Sequence, residues 1–157
     1  MAVLRHSVPA QGIEERVRTR LSGGVPRGPV VAWGEGGDAL ILNLPSVKLR
    51  LRSGWLLCNV DASAPGGARG TLQLMYFLGR DGQGDDTVAA STIHTVGPAS
   101  ALAAEWGVQL QRVVWDGVLD AIEGVVGQVG SQNPGKDLDL VGFSGADGVL
   151  QVDVRVN

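Results

Sequence analysis

The stretch PASALAAEWGVQLQRVVWDGVLDAIEGVVGQV, Pro98 to Val129, decides the fold. Wound at 100° per residue, it gathers Glu105, Gln109, Arg112, Asp116, Asp120 and Glu123 into one strip roughly 80° wide. Leu102, Leu110, Val114, Val118, Ile122, Val125, Val126 and Val129, with both tryptophans of the stretch, take up most of the remaining circumference. A surface helix normally carries a single apolar stripe, so this one demands cover on at least two sides. A sheet plus a second layer would supply it, as would a sheet plus another copy of the chain. The polar strip is then the part expected to face water.

Trp106 and Trp115 fall on opposite flanks of the apolar surface, beyond the reach of one covering layer. Gly117, Ala121 and Gly124 recur along one side, although each Gly inside a helix costs about 0.8–1 kcal/mol relative to Ala. Close approach of another backbone is the physical use of such a side, whether within the subunit or from a partner. Candidate interface residues are therefore Trp106, Val113, Trp115, Gly117, Leu119, Ala121 and Gly124.

Upstream, Ile13, Val17 and Leu21 recur every fourth residue and predict a short amphipathic helix over 13–21, after Pro9 and before Gly23-Gly24. From Pro29 the period changes. Residues 29–34, 39–44, 47–52, 55–63, 71–79 and 87–94 are short aliphatic, aromatic or β-branched runs separated by turn residues such as Pro45-Ser46 and Ser53-Gly54. Val47, Leu49 and Leu51 alternate with Lys48, Arg50 and Arg52, which predicts one wet face. Trp55–Cys58 and Leu72–Leu78 are more continuously apolar and predict central strands covered more fully. Residues 138–143 and 149–156 make a closing hairpin across Ser144–Gly148. The expected fold class is α+β, in a single domain over 1–157: an antiparallel meander of about seven or eight strands packed on the long helix, with a short N-terminal helix and a final hairpin.

Net charge is −3, which argues against a general nucleic-acid binder. Residues 1–52 nevertheless hold a net of +4 and residues 53–157 a net of −7, a polarity able to steer association. One cysteine, Cys58, excludes an internal disulfide; its apolar neighbours predict a buried small hydrophobe. No apolar run reaches membrane-spanning length and the first residues lack a signal-peptide core, so a cytoplasmic, soluble chain is expected.

Motifs of chemistry are sparse. Asp81–Val88 matches part of a calcium-binding nonapeptide turn, but that architecture holds its ion between tandem copies and only one is present. Gly142-Phe-Ser-Gly-Ala146 approaches the nucleophile elbow, yet its fifth position is Ala and a strand follows where a helix is required. His94 is a conceivable general base without an obvious orienting carboxylate, and His6 is expected in a mobile terminus. Lys48, Arg50 and Arg52, joined by Arg16, Arg18 and Arg20, could form an anion-binding patch.

No acid, base, nucleophile or metal set converges, and neither a cofactor nor a metal is implied. The expected function is a non-catalytic structural or interaction module that forms homo-oligomers, its partner itself or another protein. A small-molecule or lipid binder with a cavity between sheet and long helix is the alternative, and an enzyme using His94 with a carboxylate the third.

Overall fold

The computed structural model describes residues 2–23, 27–80 and 90–157. Its elements follow in the order β1 (Ala2–Pro9), α1 (Ala10–Ser22), β2 (Pro29–Trp33), β3 (Leu40–Arg52), β4 (Trp55–Ser63), β5 (Arg69–Phe77), β6 (Gly79–Arg80), β7 (Ala90–Val96), α2 (Ser100–Gln132), β8 (Leu138–Ala146) and β9 (Val149–Val156). The class is α+β, with a long helix and a C-terminal hairpin. The expected single meander is instead split into two sheets. One is antiparallel in the order β2-β3-β4-β5-β7; the other runs β1-β9-β8, with the short β6 added parallel to β8.

The split follows from β1. Its residues pair with β9 from Ala2 opposite Val156 to Pro9 opposite Val149, which ties the final hairpin to the N-terminal segment and away from the meander. Leu4, His6 and Val8 turn inward while Arg5 and Ser7 turn out, so a period of two was present but crossed by polar residues. Arg5 grips Asp153 on the neighbouring strand through two bonds, at 2.8 and 3.0 Å.

β3 fuses the two runs that Pro45-Ser46 was expected to separate. Five steps on β3, Asn43 to Lys48, span only two on β4, Asp61 to Asn59, so the proposed turn is a bulge. Ser46 Oγ closes it, donating to the Asn43 carbonyl and accepting the Asp61 N–H. The bulge keeps Leu44 and Val47 on the same buried face as Leu42 and Leu49.

β2 pairs with β3 only as far as Asn43, leaving the rest of that edge without a strand. α1 covers it. Arg18 donates to the carbonyls of Leu44 and Val47 at 3.1 and 2.9 Å, and the buried Glu14 carboxylate accepts the Leu49 N–H at 3.0 Å. Gly148 N–H then donates to the Leu51 carbonyl. A buried backbone group without a partner costs about as much as a lost hydrogen bond, so these contacts finish the strand.

α2 starts after Gly97, whose φ is +77°, and stops where the Asn133 side chain donates back to the Val129 carbonyl. At 33 residues it is about 50 Å long. It lies beside α1 and on the inner faces of β5, β7, β8 and β9, and one continuous hydrophobic core runs under both sheets.

Candidate functional site

Strand alternation sends Leu56, Cys58, Val60, Leu72, Leu74 and Tyr76 into the core, and their neighbours the other way. The outer face of the five-stranded sheet is thereby set residue by residue. Register places Lys48 opposite Asn59, Arg50 opposite Leu57 and Arg52 opposite Trp55. Trp55 in turn faces Phe77, Leu57 faces Met75, and Asp61 faces Thr71. On β7, Thr92 and His94 sit across from Met75 and Gln73, with Val96 across from Thr71. β4 and β5 are central in the sheet, as their apolar runs predict, and were expected to be covered more fully. Their outer side is instead open: Trp55 is 40% exposed and Leu57, Met75 and Phe77 are half-buried.

Trp55 and Phe77 meet edge to face with ring centroids 5.0 Å apart. At the sheet edges Val31 is 63% and Val96 54% exposed. Among the described residues Lys48, Arg50, Arg52 and Arg69 are the cations of this face and Asp61 its carboxylate, which already accepts the Thr71 hydroxyl at 2.8 Å. A groove of about 460 Å³ opens at one end, lined by Pro29, Ile41, Asp61, Arg69, Thr71 and Pro98. An antiparallel sheet with one solvated face normally presents polar residues there. This one presents an aromatic and aliphatic patch at Trp55, Leu57, Met75 and Phe77, flanked by cations on the β3 side and by Asn59, Gln73, Thr92 and His94 elsewhere.

The predicted basic trio Lys48, Arg50 and Arg52 is brought together, all three residues exposed on the outer face of β3. Arg16, Arg18 and Arg20 do not join it. Arg18 closes the β3 edge, Arg20 clamps Asp120 at 2.6 and 2.8 Å, and Arg16 lies against Gly124 of α2. The Arg20 guanidinium holds the Asp120 carboxyl below its usual range.

The α2 residues are placed as follows. Trp106 stacks on Trp33 at 6.2 Å, and its Nε1–H donates to the Asp38 carbonyl at 3.0 Å. Trp115 lies between Tyr76 at 5.5 Å and Phe143 at 5.9 Å. Gly117 touches α1 so closely that a Cβ there would stand 2.8 Å from the Val17 Cα. Ala121 is buried, and Val113 and Leu119 are half-buried on the core. The flanks holding the two tryptophans are thus covered from within the chain, and the small-residue side receives α1. The polar strip is not alone in water, because Val108 beside it is 74% exposed.

His94 makes a 3.5 Å contact with Thr92 Oγ1, and no carboxylate among the described residues reaches it. His6 is not in a loose terminus but half-buried in β1, opposite Val152. Ser144 is buried in β8 opposite Gln151, and the strand continues to Ala146, so no elbow forms. Cys58 is fully buried; burial, then the charge of Glu14, pushes its thiol up to about 12. The calcium-like segment Asp81–Val88 lies outside the described residues. Among those described, no three His, Cys, Asp or Glu side chains could share a metal ion, and no helix is long and apolar enough to cross a membrane. The space between sheet and α2 is filled by Leu72, Leu74, Leu110, Val114 and Val118, each with no exposed surface.

Sequence reasoning missed the aromatic pair of the outer face, because Trp55 and Phe77 become neighbours only through the β4–β5 register. Even spacing about the tip of a hairpin was the one signal that could have paired them. No family model, curated protein or solved structure matches the chain.

Proposed function

We propose that the chain is a non-catalytic structural or interaction module that works as a homo-oligomer. The observation that supports this most is the outer face of the five-stranded sheet. Trp55, Leu57, Met75 and Phe77 form one apolar patch there beside Arg50 and Arg52, while Val31 and Val96 stand apart at the sheet edges, beyond the Asn59–Gln73 and Asp61–Thr71 pairs. Contiguous apolar surface rimmed by polar groups marks interaction sites on soluble proteins. Aromatic and arginine side chains, both present here, are the residue types enriched where binding energy concentrates. The two tryptophans of α2 are engaged within the chain, so the open sheet face carries the reading.

Multi-angle light scattering after size exclusion tests the reading. At tens of micromolar the particle should contain more than one chain, and a monodisperse monomer would overturn it. The groove at Pro29, Ile41 and Pro98 favours a second reading, binding of a small apolar ligand on the sheet face. Native mass spectrometry of the purified chain would then show a retained non-protein mass.

A further inference from the structure

Two surfaces on opposite sides of the molecule carry opposite charge. Among the described residues of the outer sheet face Lys48, Arg50, Arg52 and Arg69 stand against Asp61, inside a chain of net charge −3. On α2, Glu105, Arg112, Asp116 and Glu123 fall on one line at helical spacing; Arg20 and Arg16 of α1 stand beside its Asp116–Glu123 half, so the strip keeps a small acidic surplus, fullest at Glu105. Asp120 beside them is already taken up by Arg20. Because α2 packs its Leu110, Val114 and Val118 side toward the sheets, the strip faces away from the sheet's outer surface.

We propose, resting on the homo-oligomer reading, that copies associate head to tail, the outer sheet face of one on the acidic strip of α2 of the next. Charge selects this pairing over the symmetric one. Sheet face on sheet face sets two sets of cations against each other, and like-charge juxtaposition across an interface costs several kcal/mol. Sheet face on helix strip sets arginines against carboxylates. The apolar parts agree as well: Trp55, Leu57, Met75 and Phe77 on the sheet meet a strip flanked by Val108, with half-buried Leu119 and Val126 beyond it. The dimensions fit too. Glu105 to Glu123 spans about 27 Å at 1.5 Å per residue, and β4, with nine residues, is also about 27 Å long. A contact between two different surfaces closes into a ring or continues as a filament, according to the rotation between copies.

Charge swapping tests this on the whole chain. Arg50→Glu with Arg52→Glu reverses the sheet face, and Glu105→Lys with Glu123→Lys reverses the strip; all four side chains are exposed, and circular dichroism checks folding. Each double variant should fall to the mass of one chain in light scattering. The chain carrying all four substitutions should reassemble, as should a mixture of the two double variants. Raising salt from 0.05 to 0.5 M should dissociate the wild type, since screening acts on exposed charges. A wild type that is monomeric overturns both this pairing and the homo-oligomer reading. A wild type that assembles, with double variants that keep its mass or folded swaps that fail to reassemble, overturns the pairing alone. Binding of a single-stranded oligonucleotide by the wild type, lost with Arg50→Glu and Arg52→Glu while the particle mass is unchanged, assigns the face to a polyanion and overturns it too.

Discussion

Glu14 sits on the buried side of a helix rich in arginine, where it accepts the Leu49 N–H and lies 3.6 Å from Arg18. Glu14→Ala leaves a buried donor and a half-buried cation without their partner and should cost about 3 kcal/mol. Glu14→Gln keeps an acceptor and should cost about half as much, both read from urea midpoints. No periodicity announced this role, because the need arises on β3, thirty-five positions away. Cys58 was legible: an apolar run predicted burial, and burial lifts its thiol from 9.0 to about 12. The sign follows. With the folded value raised, the contribution to stability is intact below pH 9 and is lost as pH climbs toward 12, since the unfolded thiol ionises first. A thiol reagent at pH 8 should therefore label the chain only in denaturant; labelling at the rate of a free thiol without denaturant would contradict the packing.

Among the elements, the glycines of α2 separate by what surrounds them. A Cβ at Gly117 would meet the Val17 backbone at 2.8 Å, whereas at Gly127 nothing lies within 4 Å. Gly117→Ala should therefore lose about 1–2 kcal/mol as α1 is forced outward, and Gly127→Ala should gain about 0.8–1 kcal/mol from helix propensity alone. Thermal melts of the two variants should move in opposite directions. Sequence pattern reached β4 and β9 to the residue, because alternation there ends at Ser53-Gly54 and at Asp147-Gly148, whose glycines take φ of +84° and +77°. It failed at Pro45-Ser46, where turn chemistry serves a bulge inside a strand, and at β1, whose inward His6 broke the apolar pattern.

At the scale of the molecule the two sheets are joined through Trp115, which touches Tyr76 of one and Phe143 of the other. Trp115→Ala should cost about 3–5 kcal/mol and should weaken near-ultraviolet dichroism in the folded state, a test of whether that joint orders the aromatic core. The helix predicted over 98–129 was correct in kind and nearly in extent, since its cause is local. The division into two sheets and the open apolar face were beyond the sequence, because both depend on which strands pair across long separations. The pairing of β1 with β9 carries a further consequence, for the order of assembly. β3, β4 and β5 are joined by short turns and can zip up locally, with little loop entropy to overcome. Among the described residues β1 has its ladder on β9 alone, with more than 130 residues intervening. β1 is therefore among the last strands to find its place, and a nascent chain holds Leu4 and Val8 without these strand partners until β9 has been made.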